Sequence, residues 1–106
     1  MAELTNMTRV AFLILKSPQE QDPAHLMKRL SEAKDASAIL IEDGVYQALQ
    51  DGAAKNLNGA AHEILVSKED MEARGFSTSD LKTGKAVEYG EIVDCIMERT
   101  ERTVTL

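Results

Sequence analysis

The residue with the most distinctive chemistry is Cys95, the single cysteine of a 106-residue chain. A reactive cysteine usually lies at a helix N-terminus or beside cations, because both stabilise the thiolate. Cys95 instead falls inside a predicted helix directly after Asp94, with the acids Glu91 and Glu98 a turn away on either side. Arg99, four residues on, is its only favourable neighbour. The local charge therefore predicts a structural, poorly reactive thiol rather than a catalytic one.

Two adjacent acids, Glu42 and Asp43, are the second candidate for chemistry, because they follow an apolar run and directly precede Gly44. Ligands of open α/β sheets bind at the carboxyl ends of the strands, so acids in this position could contact a ligand. The chain contains neither GxGxxG nor GxxxxGKS/T, the glycine-rich patterns that hold phosphates. Two carboxylates would also repel a phosphate from a helix N-terminus. These features argue against nucleotide binding.

The same pair of acids could belong to a magnesium-dependent phospho-receiver site, which needs further carboxylates at neighbouring strand ends. The first predicted strand is followed by Lys16-Ser17 and the third by Ser67, so such a site would lack its other ligands. Asp43 is then either the N-cap of the following helix or, together with Glu42, a contact for a basic surface on a partner.

The histidines His25 and His62 are the only two in the chain, and with one cysteine they cannot supply the four ligands of a structural zinc site. No Ser/His/Asp arrangement follows from their spacing. We therefore predict surface histidines, no metal site, no cofactor and no catalytic residue. Tyr46 and Tyr89 each stand where a predicted strand gives way to a helix, and are either packing residues with a hydrated hydroxyl or anchors at an interface.

The overall charge restricts the classes of partner. Eighteen acids against 12 bases give a formal charge of −6 and a sequence pI near 4.8. With two Tyr, two Phe and no Trp, the chain lacks the basic patch and the stacking platforms of a direct nucleic-acid binder. Its negative charge also disfavours anionic membrane surfaces. Small molecules or other proteins are the expected partners.

The cysteine count and the lengths of the apolar runs also predict the cellular compartment of the protein. A lone cysteine excludes an internal disulfide. The longest apolar run, residues 10–15, is far shorter than the ~20 residues of a membrane span. Residues 1–9 form a polar leader without the apolar core of a signal peptide. We therefore expect a cytoplasmic protein that neither enters nor binds a membrane.

Short apolar runs alternate with helical patterns along the chain, as is typical of parallel strands joined by right-handed helical crossovers. The predicted strands are residues 10–15, 38–41, 62–66 and 86–89. Asp22-Pro23 predicts the start of the first helix, and Arg74-Gly75 predicts a helix stop. A second helix is predicted from Val45, weakened or ended at Asp51-Gly52. Residues 103–106 alternate in polarity and form either a fifth strand or a tail.

The length of 106 residues corresponds to roughly one domain, and no repeat or linker divides the chain. The sequence therefore predicts a single three-layer α/β/α domain over residues 1–106, with a mostly parallel sheet of four or five strands.

Four segments, taken in order, resemble one family. They are Leu15-Lys16-Ser17-Pro18, Ile39-Leu40-Ile41-Glu42-Asp43-Gly44-Val45-Tyr46, Glu69-Asp70-Met71-Glu72-Ala73-Arg74-Gly75, and Val87-Glu88-Tyr89 leading into Ile92-Val93-Asp94. Over about residues 10–97 the chain resembles the DsrH/TusB family. This is the smallest subunit type of the complexes that relay sulfur in dissimilatory sulfur oxidation and in tRNA 2-thiouridine synthesis.

The resemblance implies a DsrE/DsrF/DsrH-like fold and assembly with DsrE- and DsrF-type (TusD- and TusC-type) subunits into hetero-hexamers. In such complexes a cysteine of the DsrE-type subunit is the principal carrier of the persulfide. Some DsrH-type members have a cysteine after the first strand, whereas residues 17–33 of this chain contain none. Cys95 lies on the last helix, where no carrier of the family matches it.

The leading hypothesis is an accessory subunit of a sulfurtransferase complex, which completes the persulfide pocket of a partner and does not itself carry sulfur. The candidate binding or interface residues are Lys16, Ser17, Glu42, Asp43, Gly44, Tyr46, Arg74 and Tyr89. Two alternatives stay open: a persulfide carrier that uses Cys95, and a homo-oligomeric domain that binds a small ligand. The sequence leaves the pathway, sulfur oxidation or tRNA thiolation, undecided.

Overall fold

The computed structural model describes residues 8–106, so most of the predicted polar leader lies outside the described residues. The strands are β1 (Val10–Ile14), β2 (Ala36–Leu40), β3 (Glu63–Ser67), β4 (Lys85–Val87) and β5 (Arg102–Thr105). The α-helices are α1 (Pro23–Leu30), α2 (Asp51–Asn58), α3 (Lys68–Ala73) and α4 (Tyr89–Asp94), and α4 continues into a π-helical segment, Cys95–Arg99. Short 3₁₀ helices span Ala33–Asp35, Glu42–Ala48 and Thr78–Asp80.

The strands form one parallel sheet in the order β4-β3-β2-β1-β5. The predicted layered α/β fold with a mostly parallel sheet is thereby confirmed. The C-terminal residues, for which a strand and a tail were both open, form a strand: β5 pairs with β1 from Val10↔Arg102 to Leu13↔Thr105. The β-branched residues Thr103, Val104 and Thr105 favour extended backbone.

The handedness of the connections explains how the helices are distributed. The first three connections step in one direction, from β1 to β4, and right-handed crossovers then place all their helices on one face of the sheet. That face carries Phe12 and Leu40 and packs against Met27, Leu57 and Met71 of α1, α2 and α3. The last connection returns to the opposite edge beside β1, and the same rule places α4 on the other face.

The face covered by α4, called here the α4 face, has a thinner cover. Its buried cluster contains Ala11, Ile39 and Leu65 of the sheet together with Ile92 and Cys95. A five-stranded sheet is about 20 Å wide, whereas one helix with its side chains is about 10 Å across. One helix therefore leaves part of this face open.

The region after β2 differs from the prediction. A helix was expected from Val45 and was expected to weaken at Asp51-Gly52, but a 3₁₀ helix covers Glu42–Ala48 and α2 begins at Asp51. An acid in the first turn favours a helix start through the helix dipole. The Asp-Gly pair thus marks the beginning of a helix here.

Candidate functional site

The carboxyl end of β2 is held in an unusual backbone conformation. Glu42 has a φ of 51°, which side-chain-bearing residues adopt infrequently. Its backbone N–H donates a hydrogen bond of 2.8 Å to Oδ2 of Asp70, 28 residues further on. This charge-assisted bond from α3 offsets part of the cost of the conformation.

Asp70 connects three strand ends, and we call it and its partners Ser67, Glu42 and Tyr89 the Asp70 cluster. Its own N–H donates to Oγ of Ser67, the N-cap of α3, at 3.2 Å. The Tyr89 hydroxyl lies 3.0 Å from both carboxylate oxygens of Asp70. A hydrogen bond with Ser67 acts to lower the pKa of Tyr89, but desolvation and Asp70 outweigh it and the pKa is raised. The phenol therefore stays protonated and remains a donor to Asp70.

The exposed acid Asp43 is paired with Arg74. Nε and Nη2 of Arg74 lie 3.0 and 2.9 Å from Oδ1 of Asp43, and Nη1 donates to the backbone oxygen of Asp70 at 3.1 Å. Ile41, not Asp43, occupies the N-cap position of the 3₁₀ helix, so the N-cap interpretation of Asp43 is wrong. The 3₁₀ helix can pack closely against the end of β1 because the residue after Asp43 has no side chain.

That residue is Gly44, which lies against the end of β1. A Cβ atom on Gly44 would lie 1.8 Å from the backbone oxygen of Ile14. Two residues on, the Tyr46 ring makes an edge-to-face contact with Phe76 at a centroid distance of 5.7 Å. Tyr46 is half-buried, and this contact favours the packing role that was one of its two interpretations.

Lys16 and Ser17, at the end of β1, lie apart from the Asp70 cluster. The buried Gln47 side chain donates to the backbone oxygens of Lys16 and Gln21 at 3.1 and 3.2 Å, which fixes the loop. Among residues 8–106, no hydrogen bond joins Lys16 or Ser17 to the Asp70 cluster or to Asp43 and Arg74. Of the candidate residues, Glu42, Asp43, Arg74 and Tyr89 are thus brought together through Asp70.

Asp70 was predicted only as part of a segment that resembles the family, and its contacts between elements were not predicted. Gln47 was not predicted as a functional residue either. The one available signal was the Ser67–Asp70 spacing, because the partners of Asp70 lie 28 and 19 residues away along the chain.

Removing the Asp70 carboxylate is expected to loosen this edge of the sheet. The substitution Asp70→Ala leaves the Glu42 N–H and the Tyr89 hydroxyl without their acceptor, and should lower the free energy of unfolding by about 1–3 kcal/mol. It should also lower the pKa of Tyr89, measurable by ultraviolet titration. Glu69→Ala is the matched control, since Glu69 is a neighbouring exposed acid. Equal destabilisation by both substitutions would contradict the role given to Asp70.

The Cys95 thiol occupies a different place in the fold. Cys95 is fully buried, and its Sγ lies 3.9 Å from Oε1 of Glu63. Glu63 also accepts from Oγ of Ser37 at 3.0 Å and from Nη1 of Arg99 at 2.7 Å. Burial raises the pKa of Cys95, and the charge of Glu63 adds to this against the opposing effects of Ser37 and Arg99. The thiol is therefore protonated and enclosed.

The position of Cys95 separates it from the acidic edge. Its polar neighbours Ser37 and Glu63 belong to the beginnings of β2 and β3. Glu42 and Ser67 lie at the carboxyl ends of the same two strands. The thiol and the Asp70 cluster thus lie at opposite ends of the parallel sheet.

The same group of side chains predicts a pH dependence. Burial tends to raise the pKa of Glu63, but hydrogen bonds from Arg99 and Ser37 outweigh it, and the pKa is lowered. A lowered folded-state pKa stabilises the fold above the unfolded-state value, and this stability is lost as the pH falls through the folded-state value. Between about pH 6 and about pH 3, Glu63→Gln should therefore lose less of its free energy of unfolding than the wild type does, as measured by denaturant unfolding. The control is Glu98→Gln, at an exposed acid next to Arg99 on the π-helical segment, and it should behave as the wild type. A stability curve of Glu63→Gln that runs parallel to that of the wild type would contradict this assignment.

None of the helices in residues 8–106 has the length and apolar character that a membrane span needs. Across the same residues, no group of three or more His, Cys, Asp or Glu side chains is placed so that it could hold a metal ion.

The comparisons with known proteins give one family and one similar solved structure. The family model described as DsrH like protein matches residues 16–102, a span that includes every candidate site residue. The solution NMR structure of protein Tm0979 from Thermotoga maritima is similar, with a TM-score of 0.60 and 26% sequence identity over 81% of this chain and 90% of that chain. No curated protein sequence is significantly similar to this chain.

Proposed function

Since this chain belongs to the DsrH family, we propose that it is an accessory subunit of a sulfur-relay complex, a sulfurtransferase assembly with DsrE- and DsrF-type subunits. In this proposal it carries no sulfur itself, and it completes the pocket in which a partner's cysteine holds the persulfide. The family membership supports the relay, and the chain's own chemistry supports the accessory role.

The observation that carries the accessory role is the state of Cys95. A relay cysteine must attack a donor persulfide as a thiolate and then present its own persulfide to an acceptor. In each transfer the acceptor thiolate forms a new S–S bond to the terminal sulfur, and the donor leaves as a thiolate, so no external oxidant is needed. Cys95 is enclosed, has a raised pKa and lies 3.9 Å from a carboxylate oxygen of Glu63. Burial denies access to a donor or acceptor, and the raised pKa disfavours the thiolate that must attack.

The candidate interface residues at the strand ends fit a docking role. Glu42 and Asp43 are exposed. The hydrogen bond to Asp70 fixes the Glu42 backbone, and the ion pair with Arg74 fixes the Asp43 side chain. A fixed acidic edge suits a partner surface that carries Lys or Arg. Lys16 and Ser17 belong to the same end of the sheet, and with the exposed Tyr89 they complete the proposed interface. The buried Gly44 and the packed Tyr46 support this interface from within the fold.

The proposed compartment is the cytoplasm. A persulfide relay depends on thiols that are kept reduced, as glutathione and thioredoxin keep them there. The terminal acceptor, in sulfur oxidation or in tRNA thiolation, is outside this proposal. An RNA acceptor would be held by another protein, in keeping with the charge of −6.

Reconstitution tests the proposal. The chain is co-expressed with the DsrE- and DsrF-type proteins of the same genome, as the wild type and as Cys95→Ala, and the complex is analysed by native mass spectrometry. We expect one stable hetero-complex for both chains. We also expect equal persulfide loading of the partner's cysteine, measured from the mass adduct on that subunit.

Two results would overturn the accessory role. A chain that remains a monomer while the other two subunits assemble would exclude membership of the complex. An assembled complex in which Cys95→Ala abolishes sulfur transfer would instead support Cys95 as a persulfide carrier.

A further inference from the structure

A cavity of about 210 Å³ lies at the carboxyl end of the sheet, apart from the Asp70 cluster. It is formed by the loop between β1 and α1, the 3₁₀ helix after β2, and α2. The residues that line it are Pro18, Gln21, Asp22, Gln47, Ala53 and Asn56. Its volume is below that of a site for a drug-sized molecule, so the cavity suits a small ligand.

The buried Gln47 fixes the shape of the cavity and leaves an acceptor in its wall. Gln47 is 2% exposed, and both hydrogens of its Nε2 are used in the bonds to the backbone oxygens of Lys16 and Gln21. Across residues 8–106, no donor forms a hydrogen bond with its Oε1. The loop is thus held in place around the cavity, while the side-chain oxygen of Gln47 can still accept a hydrogen bond.

The side chain of Gln21 supplies a second free acceptor. Its Oε1 is closed to bulk solvent and has no hydrogen-bond partner within residues 8–106. A buried polar atom without a partner lowers the stability of a fold. Because Gln21 forms part of the cavity wall and its terminal torsion is soft, a small rotation brings this oxygen to a donor inside the cavity.

Asp22 adds a carboxylate beside these two oxygens. It is exposed and occupies the N-cap position of α1, but its side chain makes no capping hydrogen bond. In the described part of the chain, no Lys, Arg or His side chain lies within ion-pair distance of it. The dipole of α1 favours an anion here, but Asp22 already supplies one, and Pro23 has no N–H to donate. A further ligand at this position is therefore expected to be a cation.

The set of acceptors selects an organic cation rather than a metal ion. Calcium takes about six to eight oxygen ligands, whereas one carboxylate and three carboxamides line this cavity. A primary ammonium group carries three N–H donors and no acceptor, which matches the acceptors of Gln21, Gln47 and Asp22. Pro18 and Ala53 add apolar side chains against which a short carbon chain can pack.

We propose that this cavity binds a small primary amine. Its ammonium group donates to Gln21, Gln47 and Asp22, and its carbon chain lies against Pro18 and Ala53. The binding is independent of the sulfur relay, since none of the residues that line the cavity belongs to the interface proposed above.

Titration of the full chain with n-propylammonium chloride tests the proposal. The side-chain NH₂ signals of Gln21 and Gln47 are followed in ¹H–¹⁵N correlation spectra, and we expect both to shift and to saturate. Two probes of similar size serve as controls at the same ionic strength. Propionate is an anion, and tetramethylammonium is a cation without an N–H group, so neither should shift these signals.

Variants of the lining residues locate the binding site. Gln21→Leu and Asp22→Asn should each weaken the binding of n-propylammonium at least about tenfold, as the loss of a hydrogen bond to a charged group does. Gln21→Leu also removes the unpartnered oxygen, so its thermal midpoint should equal or exceed that of the wild type. Gln19→Leu is the matched control, since Gln19 is an exposed residue of the same loop outside the cavity, and it should bind as the wild type.

Four results would overturn the proposal. Spectra without saturable shifts would show that the cavity holds only water. Equal binding of tetramethylammonium would exclude recognition through N–H donors, and binding of propionate instead would exclude a cationic ligand. Wild-type affinity of both Gln21→Leu and Asp22→Asn would place the amine elsewhere on the acidic surface.

Discussion

Replacing Gly44 with alanine is expected to lower the free energy of unfolding by at least about 3 kcal/mol, and to leave much of the protein unfolded at physiological temperature. The added methyl group would lie 1.8 Å from the backbone oxygen of Ile14. That oxygen accepts the N–H of Ile41 at 3.2 Å, and the Gly44 N–H donates to Ile41 at 2.8 Å. Neither backbone can move without breaking the junction between β1 and the 3₁₀ helix.

Denaturant unfolding measures this loss, with Gly52→Ala as the matched control. A Cβ on Gly52, in the first turn of α2, meets no atom within 4 Å, and alanine is the better helix former by up to about 1 kcal/mol. The control should therefore equal or exceed the wild type in stability. If Gly44→Ala were as stable as Gly52→Ala, the close approach to Ile14 would be refuted.

The Cys95 thiol is expected to react with a soluble maleimide at least about a hundredfold more slowly in the native protein than in the denatured protein. Its side chain is 0% exposed, so the reagent reaches it only when the structure opens. Burial and Glu63 also raise the pKa of the thiol, which reduces the thiolate fraction. Both rates are measured by quenching the alkylation at successive times and determining the modified fraction by mass spectrometry of the intact protein.

An exposed thiol at Lys55 supplies the control for reagent and solvent conditions. Lys55→Cys in a Cys95→Ala background places the thiol on the outer surface of α2, and it should react at nearly the same rate before and after denaturation. Native Cys95 that reacts as quickly as this control would contradict the enclosed site, and with it the main support for an accessory role.

Local chemistry was sufficient to predict most of the fold. The apolar run at β1 and the Asp22-Pro23 start of α1 are signals contained in adjacent residues, and the structure confirms both. The two interpretations of residues 103–106 could not be separated, because an edge strand exists only through its pairing with β1. The start of α2 was misplaced because Asp51-Gly52 can end one helix or begin another, and the contact of Gly44 with β1 decides between them.

The site was less accessible to prediction. The rule for strand ends predicts that Glu42 and Asp43 lie at this edge of the sheet. Arg74, predicted from local sequence only as part of a helix stop, reaches the edge through its ion pair with Asp43. The central position of Asp70 depends on a left-handed backbone at Glu42 and on the direction of the Tyr89 hydroxyl. Both result from packing between distant segments, and no spacing in the sequence encodes them.

The pairing of the last strand with the first has a consequence for biosynthesis. β5 lies at the very end of the described chain, yet it protects the free edge of β1, the strand with the most apolar sequence. During translation that edge of β1 stays unpaired until residues 102–105 have emerged, and contacts between such distant parts of a chain form slowly. A nascent chain that lacks β5 therefore exposes unpaired backbone groups along β1, a state that favours chaperone capture or pairing with a neighbouring strand.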